Sequence, residues 1–167
     1  MSQAYPVVLA LGCLAGLGWL ALRRDVSAQS QSHVFAAAIL ALALGLAGAR
    51  LAFAALHAPY FLERPLEVIW VWRGGLSWVG GAVGALAAIG VYATARRLRL
   101  AALADALVIP ALAVALAAWT GCLLETCVYG IPLSPGPFAQ PTADLFGVVQ
   151  PRWPTAAVGM IASGLLL

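Results

Sequence analysis

The side chain with the clearest chemical potential is Arg50, the one arginine that lies inside an apolar run, 34–56. An ionisable residue within such a segment is energetically unfavourable in a membrane and commonly marks a functional site. Its place near the end of the run puts it roughly 9 Å deep at helical rise. Two interpretations stay open: a positive site for a lipid phosphate or an acidic partner, and a guanidinium that extends back to the membrane surface.

A glycine-rich element surrounds the start of the next apolar run. Gly74 and Gly75 precede Ser77, and Gly80 and Gly81 follow it. Because glycine loses more backbone entropy on folding than other residues, we expect a close backbone approach or an unusual dihedral angle here. A re-entrant turn or a headgroup pocket would need that, and close packing of membrane helices is the alternative. An interfacial aromatic belt explains the nearby tryptophans, Trp70, Trp72 and Trp78.

A third segment, 119–130, combines cysteines with an acid. Cys122 and Cys127 are spaced so that a helix would not bring them onto one face, and the segment contains no histidine. We therefore expect neither a metal site nor a redox role. With Cys13 they are too few for a disulfide framework, so they do not fix a redox compartment. Glu125 is interpreted as a lone interfacial acid or as the partner of an arginine.

The composition shows which elements must position these residues. Apolar residues make up 63% of the 167 residues and charged residues 9%, whereas a soluble domain has roughly 25% charged residues. The mean hydropathy is +0.97, which excludes a soluble enzyme. The apolar runs show no alternation of the kind found in membrane barrels. The sequence therefore predicts an all-α, polytopic membrane helix bundle in one transmembrane domain, 1–167.

Five apolar runs are the predicted spans, at about 7–22, 34–56, 76–95, 100–124 and 155–167. They are joined on one side by an outer arm, 58–75, and an outer loop, 125–154. The fifth run would extend only roughly 20 Å as a helix, against a hydrocarbon core of ~30 Å. We expect either that its end is buried against a neighbour or that the chain is part of something longer.

The arginines predict the orientation. Arg23 and Arg24 follow the first run, and Arg96, Arg97 and Arg99 follow the third. Since positive residues concentrate in cytoplasmic loops, both of these loops are predicted to be cytoplasmic and the N-terminus to lie outside. Membrane topology explains the net charge of +3, so we expect no nucleic-acid partner.

The outer arm is predicted to be the most exposed part of the fold and a docking surface. Its mixture of charged and aromatic residues is the reason: Tyr60, Phe61, Glu63, Arg64 and Glu67.

Four ordered segments, from about Ala47 to Met160, resemble motifs of the prolipoprotein diacylglyceryl transferases. That family moves a diacylglyceryl group from phosphatidylglycerol to the cysteine thiol of a lipoprotein precursor. Residues 48–51 are similar to Gly-Gly-Arg-Ile, and 65–81 to an outer arm that ends in Gly-Gly-Met-Ser-Phe-His-Gly-Gly. Residues 119–130 resemble Arg-Ile-Gly-Cys followed by Cys-Tyr-Gly, and 152–155 resemble Arg-His-Pro-Thr.

The departures from these motifs bear on activity. Val79 and Trp153 stand where the family has histidines, Trp119 stands where it has an arginine, and Gly159 falls near the place of a glutamate. Valine and tryptophan neither transfer protons nor bind an anion with a guanidinium fork. The resemblance thus implies the family fold without its catalytic centre, with no confident catalytic residue and no metal ligand. It leaves these headgroup candidates: Arg50, Gly75, Ser77, Trp78, Gly80, Gly81, Glu125, Tyr129 and Arg152.

We therefore expect an accessory, scaffold or lipid-holding subunit of a larger complex in the bacterial inner membrane. Its expected partners are a phospholipid and other integral membrane subunits, and no cofactor is predicted. One alternative is an active, divergent transferase in which Arg50, Glu125, Asp105 or His57 replaces the missing groups. A second alternative, a small transporter, rests on Pro110 and Asp105 in the fourth run.

Overall fold

The structure is a computed structural model that describes residues 4–23, 28–71, 75–125, 127–128, 130–143 and 147–167. These residues form an all-α membrane helix bundle with one small hairpin. The helices are α1 (Ala4–Leu22), α2 (Ala28–Leu56), α3 (Ala58–Glu63), a 3-10 helix (Pro65–Ile69), α4 (Trp78–Ala95), α5 (Leu100–Glu125) and α6 (Thr155–Leu166). The strands are β1 (Gln140–Ala143) and β2 (Val149–Arg152).

Within the described part of the chain, four helices are long and apolar enough to cross a membrane: α1, α2, α4 and α5. Helix α4 begins at Trp78 rather than at Leu76, because Ser77 occupies its N-cap. Helix α6 has 12 residues and reaches roughly 18 Å at helical rise, which is shorter than the hydrocarbon core. The multi-span helical architecture predicted from composition is confirmed.

The chain divides into two compact units. The first contains Met1–Arg23 and Val108–Leu167, and the second contains Arg24–Leu107. Helix α5 contributes to both. A single transmembrane domain over 1–167 stays a prediction.

In the second unit, α2 and α4 pack backbone against backbone. A Cβ atom on Gly48 would lie 2.5 Å from the carbonyl oxygen of Gly80, and one on Gly84 would collide with the carbonyl of Leu44. Such distances exclude side chains larger than hydrogen, as is common where small residues bring membrane helices together. Close helix packing is therefore confirmed for Gly80.

In the first unit, α1 packs against the C-terminal half of α5. Gly12 faces Ala117, and a Cβ atom on Gly16 would lie 3.1 Å from the Cα atom of Pro110. Helix α5 continues through Pro110 without a break. The broken helix on which the transporter alternative depended is therefore not found in this span.

The outer loop contains a hairpin that the sequence did not predict. Strands β1 and β2 pair antiparallel, and Pro141 stands opposite Pro151. Proline is rare in strands because it lacks the N–H donor of the ladder, so neither segment has the sequence pattern of a strand. The hairpin is extended by Ile131 and Leu133, which exchange backbone hydrogen bonds with residues 153 and 151.

Candidate headgroup sites

Arg50 is buried in the second unit and binds the outer arm through backbone oxygens. Its side chain is 6% exposed. Nε donates to the carbonyl oxygen of Val68 at 2.8 Å, and Nη2 donates to that of Glu67. Nη1 donates to the carbonyl oxygen of Gly75 at 3.0 Å. The guanidinium therefore ties both ends of this arm segment to α2.

Two aromatic rings flank this guanidinium. The Cζ atom of Arg50 lies 6.0 Å from the ring centroid of Phe53 and 5.3 Å from that of Phe61, within the range of cation–π attraction. Phe61 is buried, contrary to its place in the predicted docking surface. It turns inward because its ring packs edge-on against Phe53. The exposed apolar side chains of the arm instead include Leu62, Leu66 and Ile69.

Gly75 and Ser77 shape the entry to α4. Gly75 has φ +74°, a conformation that disfavours other residues, and a Cβ atom there would lie 2.9 Å from Nη1 of Arg50. The N–H of Ser77 donates to the carbonyl oxygen of Ala49 at 2.9 Å. Its hydroxyl accepts from the N–H of Gly80 at 3.4 Å, which caps the helix. The expected unusual dihedral is thus present at Gly75.

The remaining candidates of this element have different surroundings. Trp78 is 82% exposed, which fits an interfacial tryptophan. A Cβ atom on Gly81 would lie 3.5 Å from that of Ala49, an ordinary contact, so close packing does not require glycine there. Trp72 and Gly74 lie outside the described residues.

In the first unit, Glu125 meets the start of α1. Its Oε1 accepts the N–H of Tyr5 at 3.0 Å. The first turn of a helix exposes unpaired N–H groups and carries a partial positive charge, so a carboxylate there is stabilising. Neither sequence interpretation anticipated this role, because the helix end lies far away along the chain. Tyr129 lies outside the described residues.

Cys122 and Cys127 form a disulfide, with Cα atoms 4.9 Å apart. The spacing argument was wrong because it assumed that the helix continues, whereas α5 ends at Glu125. The N–H of Cys127 donates to the carbonyl oxygen of Cys122 at 3.2 Å, so the chain turns back over the helix end. A disulfide fits the predicted outer location, since such bonds persist in oxidising compartments.

Arg152 is 7% exposed and also meets a backbone oxygen. Its Nη1 donates to the carbonyl of Gly130 at 3.3 Å. A Cβ atom on Gly130 would lie 2.8 Å from the hydroxyl oxygen of Thr155, so the chain before β1 lies close to the start of α6. Like Arg50, Arg152 joins chain segments.

Trp119 and Gly159 lie in direct contact within the same unit. A Cβ atom on Gly159 would enter the indole, colliding with Cδ2 and Cε2 and lying 2.8 Å from Cε3. Both positions depart from the family motifs, with a ring in place of an arginine and a glycine near the place of a glutamate. The ring thus fills space that a longer side chain on α6 would take.

A cavity of about 170 Å³ lies beside this region. Its described lining has no ionisable side chain and includes Cys122, Thr142, Trp153 and Thr155. Among the residues that the structure describes, no cluster of histidine, cysteine, aspartate or glutamate could hold a metal ion.

Comparison with known proteins identifies related sequences. The sequence model of the family described as prolipoprotein diacylglyceryl transferase matches residues 2–167. The phosphatidylglycerol–prolipoprotein diacylglyceryl transferase of Verminephrobacter eiseniae is 34% identical over 123 residues, which cover 72% of this chain and 44% of that protein. The protein of that name from Bacillus velezensis is 30% identical over 102 residues, 60% of this chain and 37% of that protein.

The chain therefore spans less than half of the length of these curated relatives. Their bacterial origin and the four apolar helices together place the chain among the multi-pass proteins of the bacterial cytoplasmic membrane.

Proposed function

The chain belongs to the prolipoprotein diacylglyceryl transferase family, and from that premise we propose that it is a catalytically degenerate member. In this proposal it serves as an accessory or lipid-holding subunit of a larger membrane complex. Other integral membrane subunits and phospholipid are its partners.

The contact between Trp119 and Gly159 is the observation that carries the proposal. The resemblance implies an arginine at the position of Trp119 and a glutamate near that of Gly159, and here a ring packs on a glycine instead. The guanidinium fork that binds phosphate oxygens is thereby absent from this place, and the ring fills the volume. A smaller residue at Trp119 alone would leave a void, and a larger residue at Gly159 alone would clash with the indole, whereas tryptophan and glycine together pack.

The two buried arginines support the same proposal. Arg50 and Arg152 direct donors at backbone carbonyl oxygens of Val68, Gly75 and Gly130. A guanidinium engaged in this way holds chain segments together. For Arg50, whose Nε, Nη1 and Nη2 all donate to backbone oxygens, phosphate binding would compete with these bonds, and buried carbonyls without donors are unfavourable.

The test combines purification with an activity assay. The full chain is tagged, extracted from its native membrane in a mild detergent, and its co-purifying proteins are quantified by mass spectrometry. The same sample is incubated with labelled phosphatidylglycerol and a lipobox peptide. We expect stoichiometric membrane subunits and no label on the peptide cysteine. Isolation of the chain alone, or label transfer above a protein-free blank, would overturn the proposal.

The outer arm offers a sharper version of the partner test. Leu62 and Leu66 are 81% and 72% exposed, and substitution of both by serine removes apolar surface without touching Phe61 or Arg50. We expect this variant to lose the partner subunits. The matched control is Leu86→Ser, an exposed leucine on α4, for which we expect full retention. Equal retention by both variants would contradict docking through the arm.

An active, divergent transferase is the second candidate. It is favoured by the Gly-Gly-x-Ser-x-x-Gly-Gly element, in which Ser77 caps α4 beside the buried Arg50. In the assay above this candidate predicts label transfer that Arg50→Gln abolishes, while Arg64→Gln on the exposed arm surface leaves it unchanged.

A further inference from the structure

An apolar groove runs along α2 and α4 and extends toward the end of this helix pair that lies away from Arg50. Its volume is about 550 Å³. The lining is aliphatic except for its last positions, and includes Leu40, Leu44, Ala87, Val91, Tyr92 and Arg96. Leu44, a lining residue on α2, lies roughly 9 Å from Arg50 at helical rise, and Tyr92 lies roughly 18 Å from Gly80. The polar end of the groove is therefore the end away from the headgroup candidates around Arg50.

Tyr92 and Arg96 line one end of the groove, and His33 bonds to Tyr92. Nδ1 of His33 and the hydroxyl of Tyr92 lie 3.0 Å apart and share a hydrogen bond across α2 and α4. The Cζ atom of Arg96 lies 5.9 Å from the ring centroid of Tyr92. The apolar surface thus ends at a hydroxyl and a guanidinium, and the hydroxyl is bonded to an imidazole.

The turn after α4 adds two further positive charges. The N–H of Leu98 donates to the carbonyl of Ala93 at 2.8 Å, and the N–H of Arg97 donates to that of Thr94 at 3.2 Å. This pattern is a Schellman motif, whose left-handed residue is usually glycine. Here that residue is Arg97, with φ 53°. An arginine held where the backbone favours glycine points to a use for its charge.

We propose that the groove and the basic turn, defined as Arg96, Arg97 and Arg99, bind one anionic phospholipid. An acyl chain lies along the groove, and the phosphate faces the guanidinium groups of the turn. The positive-inside rule predicts that this end is cytoplasmic, where anionic lipids attract basic segments. A neutral lipid would fill the groove but would not pair with the arginines. Free phosphate would pair with the arginines but would not fill the groove.

This inference rests on the lipid-holding part of the proposed function and names the class of lipid and the place where it binds, at the end of the α2–α4 pair away from Arg50. Loss of lipid binding here with unchanged partner subunits would separate the two proposals.

The test measures lipid retention by the purified full chain in detergent, using native mass spectrometry. Phosphatidylglycerol and phosphatidylcholine are titrated in parallel, and inorganic phosphate is added as a competitor. We expect preferential binding of phosphatidylglycerol that inorganic phosphate does not displace. The combined variant Arg96→Gln with Arg97→Gln is expected to weaken it about fivefold per charge removed. Arg64→Gln, which removes an exposed arginine of the outer arm, serves as the matched control.

A second variant tests the apolar half of the site. Ala87 is exposed and lines the groove, so Ala87→Phe fills it without disturbing the core. We expect loss of binding of both lipids at an unchanged melting temperature. Equal binding of both lipids by the original chain, displacement by phosphate alone, or the same loss in Arg64→Gln would each overturn the proposal.

Discussion

The indole of Trp119 lies against the backbone of Gly159, so near that a Cβ atom on residue 159 would stand inside the ring system. This contact joins α5 to α6 within the first unit. The effect of a substitution at one of these positions on stability therefore depends on the residue at the other, and this coupling can be measured.

We predict that Gly159→Ala destabilises the chain by about 1–3 kcal/mol, since an added methyl in a packed interior forces a shift. In the background Trp119→Leu the same change should be nearly neutral, because the smaller side chain leaves room. Thermal unfolding of the four proteins in detergent gives the coupling energy. Additive effects would mean that the two residues do not depend on each other.

Removal of the Arg50 side chain should release the outer arm. We expect Arg50→Gln to destabilise the chain by about 2–4 kcal/mol, because buried carbonyl oxygens lose charged donors. Limited proteolysis should then cleave between Ala58 and Ile69. The control is Arg64→Gln, whose guanidinium stacks on exposed Tyr60 and whose loss should change little. If the arm were equally resistant to proteolysis in both variants, Arg50 would not be what holds it to α2.

Two neighbouring glycines provide a matched pair. A Cβ atom on Gly80 would collide with Ala52 and with the carbonyl of Gly48, whereas one on Gly81 meets Ala49 at an ordinary distance. We predict a loss of about 1–3 kcal/mol for Gly80→Ala and almost none for Gly81→Ala. Melting temperatures in one detergent decide this. Similar losses at both positions would argue against the close α2–α4 contact.

The disulfide predicts a labelling pattern. In protein extracted without reductant, a thiol reagent under denaturing conditions should modify Cys13 alone. After reduction it should also modify Cys122 and Cys127. Closing so short a loop contributes about 2 kcal/mol in the chain-entropy model, so reductant should lower the melting temperature modestly, and Cys13→Ser should not. Labelling of all three cysteines before reduction would contradict the pairing.

The spans were predictable because length and apolarity are properties of contiguous sequence. The close contact at Gly80 was among the alternatives, since paired glycines imply either packing or unusual dihedrals. The partners of Arg50 and Glu125 were not predictable, because they are backbone atoms of distant segments with no side-chain signal. The hairpin was not predicted because Pro141 and Pro151 obscure the sequence pattern of the strands. The disulfide was not predicted because the end of α5 was not recognised.

The backbone contact between Gly48 and Gly80 has a bearing on how this chain diverged. Its only requirement is the absence of side chains at a few positions, so neighbouring residues such as the exposed Val79 are free to change. For the degenerate member that we propose, reactive groups could then be lost one at a time while the helix pair persists. A helix pair that depends on glycines can therefore keep its fold when residues outside the contact change.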